Sequence, residues 1–177
     1  MILGLDVSSS KIGYSIIDQN KNLIECKFKK FKTKEELENR ALEFHAILKN
    51  IKSTYKIKKV VIEAPFMAFS GGKTTAMTMS KLQRFNGMIS ILCALTFKMN
   101  PELVNAASAR KKAGLTIKRG DDTKKMIIEW VAERYPKDFI VELTRHGNPK
   151  PGTDDMADSV IVALSGIWSK YLTKGSP

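Results

Sequence analysis

The chain has 177 residues, of which 30 are Lys or Arg and 18 are Asp or Glu, so its formal net charge is +12. Its length and its hydrophobic content of 43% are ordinary for one globular domain, and we predict a single domain over residues 1–177. No apolar run reaches the length of a membrane span, and no basic leader precedes an apolar signal core, so we expect a cytoplasmic protein without a membrane partner. The surplus of Lys and Arg favours nucleic acid over an anionic membrane surface, because cationic side chains release counterions from phosphates.

The N-terminal part of the chain contains three strand patterns. Residues 2–5 form an apolar run, residues 8–11 a polar turn, and residues 12–17 and 23–31 two further runs, which together predict an antiparallel meander. Asp6 lies at the end of the first strand, where apolar residues are expected. Burial of an unpaired carboxylate is costly, so Asp6 either caps the following turn or has a partner elsewhere in the fold.

A helix and a buried strand follow the meander. Thr33 and Glu36 have the spacing of a capping box, which predicts a helix from there to about Lys52. Residues 60–62 are a short β-branched run, typical of a strand covered on both faces, and the run ends at Glu63. Glu63 is therefore a second carboxylate at the end of a predicted strand.

The next segment predicts a loop and a long apolar helix. Residues 66–72 contain two glycines and exposed aromatic side chains, which are typical of a mobile loop, and a helical pattern begins at about Thr74. This helix is apolar over more than the stripe needed to cover one sheet, so we expect a second contact, in a twofold dimer. The large or flexible side chains predicted for that contact are Met77, Met79, Phe85 and Met88.

The C-terminal part of the chain combines short elements with a final helix. Residues 103–104 predict a strand, residues 106–113 a basic turn or short helix, and residues 123–134 a helix with an apolar face. Residues 139–143 are ambiguous, and Asp154 is the predicted cap of a last, apolar helix that runs to about Leu172. This order of elements predicts a mixed sheet with helices on its faces.

Four carboxylates stand at the ends of predicted elements. Asp155 and Asp158 are three residues apart at the start of the last helix and project from one face. Attraction to the helix macrodipole is an alternative explanation for Asp155 and its neighbour Asp154, but it explains Asp158 poorly, because an apolar run follows that residue. If this pair converges with Asp6 and Glu63, the repulsion between carboxylates calls for a hard divalent cation. Two Mg²⁺ ions about 4 Å apart would activate a water and stabilise the leaving oxygen in phosphodiester hydrolysis.

Three motifs and their order resemble the RuvC family of Holliday junction resolvases, within the ribonuclease H-like superfamily. The stretch ILGLDVSSSKIGYSII is similar to the family's first hairpin, VVIEAPFM to its strand with the catalytic Glu, and TDDMADSVIVAL to its closing helix. The resemblance spans nearly the whole chain. It implies an α/β, ribonuclease H-like mixed sheet, in which parallel strands extend a three-stranded antiparallel meander and helices cover both faces.

The resemblance also implies an activity and its partners. The expected activity is that of a Mg²⁺-dependent endonuclease that cleaves Holliday junctions by paired phosphodiester hydrolysis in a homodimer. Other branched DNA, such as three-way junctions and replication forks, belongs to the expected substrates. The expected cofactors are two Mg²⁺ ions per active site, with Mn²⁺ as a substitute. The small size and high lysine content would suit a phage-borne member that works in the host cytoplasm.

Individual residues receive roles from the same resemblance. The implied metal ligands are Asp6, Glu63, Asp155 and Asp158. Lys124, in the motif DDTKKMI, is similar to a family lysine near the scissile phosphate, and Phe66 is similar to an aromatic residue that wedges into the junction. The residues expected to contact DNA are Phe66, Phe69, Lys73, Arg110, Lys111, Lys112, Lys118 and Arg119.

Two departures from the family's pattern leave a question open. Serines stand at positions 8–10, where the family commonly has a glycine, and Asp154 adds an acid beside the expected pair. Whether Asp154, or His146 in the preceding loop, assists at the metal is therefore undecided at this point.

Three other functions fit parts of the sequence. The G-x-D-x-S-S-S hairpin also resembles the first phosphate loop of sugar kinases and actin-type ATPases, although 177 residues are too few for their second half. A non-catalytic junction-binding protein would share the positive charge but would not need all four acids. A related ribonuclease H-like nuclease or transposase domain would share the acids, but the Phe66 loop and the dimerisation-type helix favour a resolvase.

Overall fold

The computed structural model of the chain describes residues 1–32, 34–65, 76–118 and 120–168. Within these ranges the strands are β1 (Ile2–Val7), β2 (Lys11–Ile17), β3 (Leu23–Lys30), β4 (Lys59–Glu63) and β5 (Glu102–Val104). The helices are α1 (Leu37–Thr54), α2 (Ala76–Phe97), α3 (Ala106–Ala113), α4 (Thr123–Arg134) and α5 (Thr153–Trp168). Among the helices so described, none has both the length and the apolar character needed to cross a membrane.

The strands form one mixed sheet in the order β3-β2-β1-β4-β5. β1, β2 and β3 pair as an antiparallel meander, and β4 and β5 join the β1 edge in parallel. This arrangement confirms the predicted meander extended by parallel strands. The parallel register pairs Leu5 of β1 with Ile62 of β4, so one step further along both strands Asp6 lies beside Glu63.

Both faces of the sheet are covered, because successive side chains of each strand point to opposite sides. On one face the strands pack against α1 and α2, where Phe44 and Phe85 are among the large buried side chains. On the other face α5 lies across the sheet, flanked by α3 and α4. Leu3 and Leu5 of β1 belong to the first face and Ile2 to the second, so the alternation points Asp6 towards α5.

On the α5 face the helix and the sheet are in backbone contact. A Cβ atom on Gly13 of β2 would lie 1.9 Å from the carbonyl oxygen of Asp155, and one on Gly4 of β1 would lie 2.4 Å from a backbone nitrogen of α5. The hydroxyl of Ser15 donates a hydrogen bond of 2.7 Å to the carbonyl oxygen of Ser159. Glycine at these two strand positions therefore permits a close approach, at the start of α5 through Gly13 and at its middle through Gly4.

The start of α1 differs from the sequence prediction. Glu36 has an extended backbone, with φ −65° and ψ 153°, and its side chain caps no amide, so the helix begins only at Leu37. Thr33, the other half of the predicted capping box, lies outside the described residues. The predicted start of this helix is therefore wrong.

The structure decides the conformation of two short segments that the sequence left open. Residues 106–113 are helical, because the side chain of Asn105 accepts a hydrogen bond from the amide of Ser108 at 2.8 Å and so caps α3. Residues 139–142 are irregular, and Leu143 forms an isolated bridge with Pro149. The loop between α4 and α5 is thereby tied to itself next to the start of α5.

Candidate active site

The four predicted acids lie at one end of the sheet, on the α5 face. Asp6 is in β1 and Glu63 ends β4, and the parallel pairing of these strands places the two residues side by side. Asp155 and Asp158 lie in the first turns of α5, which the contact at Gly13 holds against the strands. The meander, the parallel strand and the closing helix thus each contribute to one group of carboxylates.

The carboxylates are close enough to repel one another. Burial raises the pKa of Asp6 well above its ordinary value, and repulsion from Glu63 and Asp158 raises it further. Burial also raises the pKa of Glu63 to about 7, with repulsion from Asp158 as the second cause. Three acids from three different elements therefore share one partly buried region, and this repulsion is the kind that a bound cation relieves.

An arginine of α3 acts on the same group. Burial raises the pKa of Asp158 to about 6, with repulsion from Asp154 as the second cause, and the positive charge of Arg110 opposes this shift. Arg110 also opposes the shift of Glu63. The guanidinium is thus near both carboxylates, although burial and repulsion outweigh its effect.

Two lysines bind the acids that open α5. The ammonium of Lys11 donates a short hydrogen bond to Oδ2 of Asp155 and lies 3.8 Å from Oδ1 of Asp154. The ammonium of Lys124 donates to Oδ2 of Asp154 at 2.7 Å. Burial acts to raise the pKa of Asp154, but the hydrogen bond from Lys124 and the charge of Lys11 outweigh it and hold that pKa at about 2. The pKa values of these two adjacent acids therefore shift in opposite directions, because burial raises the pKa of Asp155 despite its bond to Lys11.

The turn between β1 and β2 sets the position of Lys11. The backbone amide and hydroxyl of Ser8 both donate to the carbonyl oxygen of Lys11, at 2.9 and 3.0 Å. Ser8 also accepts a bond from the Lys11 amide at 3.1 Å, so the serine closes the turn. Sequence reasoning did not single out Lys11. The available signal was its place two residues before Gly13, which puts it on the strand face that meets α5.

Asn86 is a second residue that the sequence reasoning missed. It is buried in α2, and its side-chain amide donates a hydrogen bond of 3.0 Å to the carbonyl oxygen of Glu63. The end of β4 is therefore attached to α2 as well as to its neighbouring strands. The available signal was its position three residues before Ile89 and seven before Cys93, on the apolar face of the helix, because a buried amide needs a polar partner.

The chain matches the family RuvC, described as crossover junction endodeoxyribonuclease RuvC, over residues 2–165. The chain belongs to the RuvC family. It is therefore an enzyme of the endodeoxyribonuclease class, within a family of metal-dependent nucleases. A comparison with curated protein sequences gave no match.

Solved structures of RuvC and of a related resolvase share the fold. The Thermus thermophilus RuvC in complex with a Holliday junction substrate is similar with a TM-score of 0.68 and 12% identity, over 96% of this chain and 94% of that chain. A second Thermus thermophilus RuvC structure gives a TM-score of 0.62 and 14% identity, over 96% and 95% of the two chains. The yeast mitochondrial Holliday junction resolvase Ydc2 gives 0.58 and 14%, over 94% of this chain and 77% of that chain. The predicted ribonuclease H-like fold is confirmed.

The acid group fits a divalent metal ion in its chemistry. Carboxylate oxygens are preferred ligands of Mg²⁺, and the repulsion among Asp6, Glu63 and Asp158 is what a cation would relieve. In the part of the chain that the structure describes, no three Asp, Glu, His or Cys side chains are already arranged as a metal site. The carboxylate oxygens are thus the kind of ligand that the metal ion of a RuvC nuclease requires. One of these carboxylates, Asp155, is bonded to the ammonium of Lys11.

The residues predicted to contact DNA fall into four groups. Arg110 lies beside the acids, as described above, whereas Lys111 and Lys118 are exposed on the surface. Lys112 is 3.6 Å from Oε1 of Glu102 and so faces the edge strand β5. The predicted contacts that lie outside the described residues are Phe66, Phe69, Lys73 and Arg119. Their role in DNA binding stays a prediction.

One predicted dimer residue is misplaced. Phe85 is wholly buried in its own chain, with its ring 5.7 Å from that of Phe31, because this side of α2 covers the sheet. The prediction that Phe85 contacts a partner is therefore wrong. Met77 is exposed, and Met79 and Met88 are half-buried. The outer side of α2 instead presents the exposed apolar residues Ile91 and Leu95.

A groove of about 850 Å³ borders the acid group on the α4 side. Lys11, Lys124 and Asp154 line it, together with Lys150 from the loop before α5. His146 of the same loop is exposed, and its Nε2 accepts a hydrogen bond of 2.9 Å from Nε of Arg145. Asp154 and His146 are the two residues that the sequence left as candidates to assist at the metal. Of these, the structure places Asp154 next to the acids, where two lysines contact it.

Proposed function

We propose that this RuvC-family chain is a Mg²⁺-dependent, homodimeric endonuclease that resolves four-way DNA junctions and also cleaves three-way junctions and replication forks. The observation that best supports it is the mutual repulsion of Asp6, Glu63 and Asp158, which come from three elements and meet beside Lys124 and Arg110. The net charge of +12 supports a DNA substrate. We also propose that residues 1–177 act as one nuclease domain.

The acids are the proposed ligands of two Mg²⁺ ions, for which Mn²⁺ would substitute. The ligand set is Asp6, Glu63, Asp155 and Asp158. Ions of this kind activate a water molecule and stabilise the leaving oxygen of a phosphodiester. The chain's own contribution is to hold these carboxylates in place, through the contact of Gly13 with α5 and the bond from Asn86 to the end of β4. Rigid support of this kind reduces the reorganisation needed during the reaction.

Lys124 and Arg110 are the proposed contacts of the scissile phosphate. The side chain of Lys124 is 72% exposed while its ammonium touches Asp154, so it stands at the mouth of the acid group. Arg110 approaches the same acids from α3. A phosphodiester would be repelled by the carboxylates alone, and these two cations supply the attraction that brings it next to them.

The proposed catalytic role is tested with Asp158→Asn, which keeps the shape of the side chain and removes its charge. Cleavage of a four-way junction in Mg²⁺ should fall at least about 100-fold, because a metal ligand is lost. Binding of the junction should stay close to that of the wild type, because basic residues hold the phosphates. Both quantities are measured on a labelled junction and on a linear duplex with the same arms, in Mg²⁺, Mn²⁺ and EDTA.

Asp138→Asn is the matched control, because Asp138 is exposed near the opposite end of the strands and undergoes the same chemical change. It should cleave like the wild type. Retention of more than a few per cent of the cleavage rate in Asp158→Asn would contradict the metal role. A wild-type protein that binds the junction but cleaves nothing in Mg²⁺ or Mn²⁺ would instead favour the non-catalytic junction-binding alternative.

The proposed dimer uses the outer side of α2. Ile91 and Leu95 are 57% and 55% exposed and lie one turn apart on the helix, which leaves an apolar stripe uncovered in the single chain. A four-way junction requires two symmetric cuts, and a twofold dimer presents two identical acid groups. The helix that carries this stripe also anchors β4 through Asn86, so a dimer contact would be linked directly to the active site.

Ile91→Glu tests the dimer. A buried, unpaired charge in the contact should halve the particle mass at micromolar concentration, measured by light scattering. Ile140→Glu is the control, because Ile140 is 72% exposed and follows α4 on the other face of the sheet from α2. Equal effects of the two substitutions, or a monomeric wild type, would contradict the proposed contact.

A further inference from the structure

Lys11 makes a contact that the proposed chemistry does not use. Its ammonium bonds Oδ2 of Asp155, a proposed metal ligand, and also lies within 3.8 Å of Asp154. The side chain of Asp155 is only 10% exposed, so this ion pair is shielded from water. A shielded pair is screened less than a surface pair and acts more strongly on its surroundings.

A metal ion and the Lys11 ammonium would compete for the same carboxylate. Two cations on the two oxygens of one side chain would repel each other strongly in a shielded site. Lys124 differs, because it binds Asp154 and its side chain is mostly exposed. Of these two lysines, Lys11 is therefore the one that bonds a proposed metal ligand directly.

Lys11 also has a place to move. It begins β2, its side chain is 26% exposed, and it borders the groove that lies between the acid group and α4. Rotation of the side chain would carry the ammonium from Asp155 into that groove without any movement of the backbone. The Ser8 turn, which holds the backbone of Lys11, would remain closed.

We propose that Lys11 is a resident counter-cation of the active site, and that a divalent metal ion gains Asp155 as a ligand only by displacing the Lys11 ammonium. The acid pair that opens α5 is thereby neutralised before metal arrives, and the affinity for metal is set lower than the number of carboxylates would give. After displacement the ammonium lies in the groove, where it is available to a phosphate of the DNA. This inference rests on the proposed role of Asp155 as a metal ligand.

Metal binding in the absence of DNA tests the inference separately from cleavage. The free Mn²⁺ concentration is followed by electron paramagnetic resonance while the protein is titrated, and Mg²⁺ is then added as a competitor. Lys11→Met should bind Mn²⁺ about tenfold more tightly than the wild type, because the competing charge is gone. Lys11→Arg keeps the charge and should bind no more tightly than the wild type. Lys29→Met is the control for net charge, because Lys29 pairs with Glu43, away from the acids.

Thermal unfolding provides a second measurement. In EDTA, Lys11→Met should unfold at a lower temperature than the wild type, because Asp155 loses its partner, and saturating Mn²⁺ should raise its unfolding temperature by more than it raises that of the wild type. If Lys11→Met does not fold, Lys11→Gln serves in its place, since it keeps a polar side chain at a partly exposed position.

Each outcome is decisive. Equal or weaker Mn²⁺ binding by Lys11→Met, or an equal gain in Lys29→Met, would overturn the inference, because Lys11 would then support the metal ligands or act only through net charge. Failure of the proposed function has a different signature. In that case the wild type would bind no Mn²⁺ at micromolar concentration, or Asp158→Asn would bind it as tightly as the wild type.

Discussion

The two faces of the central sheet are packed by different means. On the α1 and α2 face, large side chains such as Phe44 and Phe85 fill the space between helices and strands. On the α5 face, Gly4 and Gly13 bring the backbone of the helix against the strands, and Ser15 bonds a helix carbonyl. The proposed active site lies on the second face.

This difference has a functional meaning. A layer of side chains can repack when one member changes, because neighbouring rotamers adjust at a modest cost. A backbone contact through glycine has no such freedom, since any added atom must displace the helix. The carboxylates of α5 are therefore fixed relative to Asp6 and Glu63 by the less adaptable of the two faces.

The largest expected effect comes from Gly13→Ala. The added Cβ would lie 1.9 Å from the carbonyl oxygen of Asp155, so the start of α5 must move away from the strands. We expect a loss of about 3 kcal/mol in the free energy of unfolding. Junction cleavage should fall at least about tenfold per folded molecule, because the acids separate. Chemical unfolding and cleavage at saturating protein measure the two effects.

Phe44→Leu is the matched change on the other face. It should also destabilise the protein, by about 1–2 kcal/mol, since buried ring atoms are lost. Cleavage per folded molecule should stay within about threefold of the wild type, because the glycine contacts and the bond from Asn86 to β4 remain in place. Equal losses of cleavage in Phe44→Leu and Gly13→Ala would contradict the conclusion that the α5 face is the one that positions the carboxylates.

An intermediate effect is expected from Glu63→Gln without metal. The folded pKa of Glu63 is raised from 4.5 to about 7, so between these values the folded state holds a proton that the unfolded state releases. The free energy of unfolding therefore falls as the pH rises through this window, and the stabilisation by protonation is complete only below it. Since glutamine carries no charge, Glu63→Gln should be about 1–3 kcal/mol more stable than the wild type at pH 8 in EDTA, with little difference at pH 4.5.

Urea unfolding at several pH values in EDTA measures this effect. The same variant should lose Mg²⁺-dependent cleavage, so stability and activity should change in opposite directions. Parallel stability curves for wild type and Glu63→Gln across pH 4.5–8 would show that burial and repulsion do not raise the pKa of this carboxyl.

The smallest effect is expected from Ser15→Ala. The change removes one buried hydrogen bond, of 2.7 Å, between β2 and α5, but leaves the glycine contacts intact. We expect a loss of about 1 kcal/mol, which corresponds to a fall of about 2–4 °C in the unfolding temperature. Cleavage should stay within about twofold of the wild type. A large loss of cleavage would mean that the hydrogen bond, and not the glycine contact, positions α5.

The sequence was sufficient for those features that local pattern controls. The meander, the parallel strand that ends at Glu63 and the start of α5 follow from apolar runs and their periodicity. Asp6 and Glu63 are recognisable because they interrupt or end such runs, and Asp158 because an apolar run follows it. Only the spacing of three residues to Asp158 distinguishes Asp155 from Asp154 as the predicted metal ligand. In the structure Asp154 instead pairs with Lys124 across 30 residues, a contact that no local pattern contains.

The features that the sequence did not reveal depend on tertiary contacts. Lys11 and Asp155 are 144 residues apart, so their pairing depends on how α5 lies over β2. The sequence predicts Phe85 in the dimer contact because α2 is apolar over a wide arc, and periodicity does not tell which part of such an arc meets its own sheet. The start of α1 was misplaced because the Thr33 and Glu36 spacing is only a local signal, and the backbone of Glu36 is extended.

The different packing of the two faces of the sheet has a consequence for protein engineering. The strand glycines and the bond from Asn86 to β4 hold the carboxylates, so the rest of the layer between the sheet and the helices α1 and α2 is open to redesign. Larger or better-fitting aliphatic side chains could be selected there for a higher melting temperature while Asn86 and the strand glycines are kept. A thermostable variant obtained in this way should keep the metal and substrate requirements of its parent, since no carboxylate would have moved.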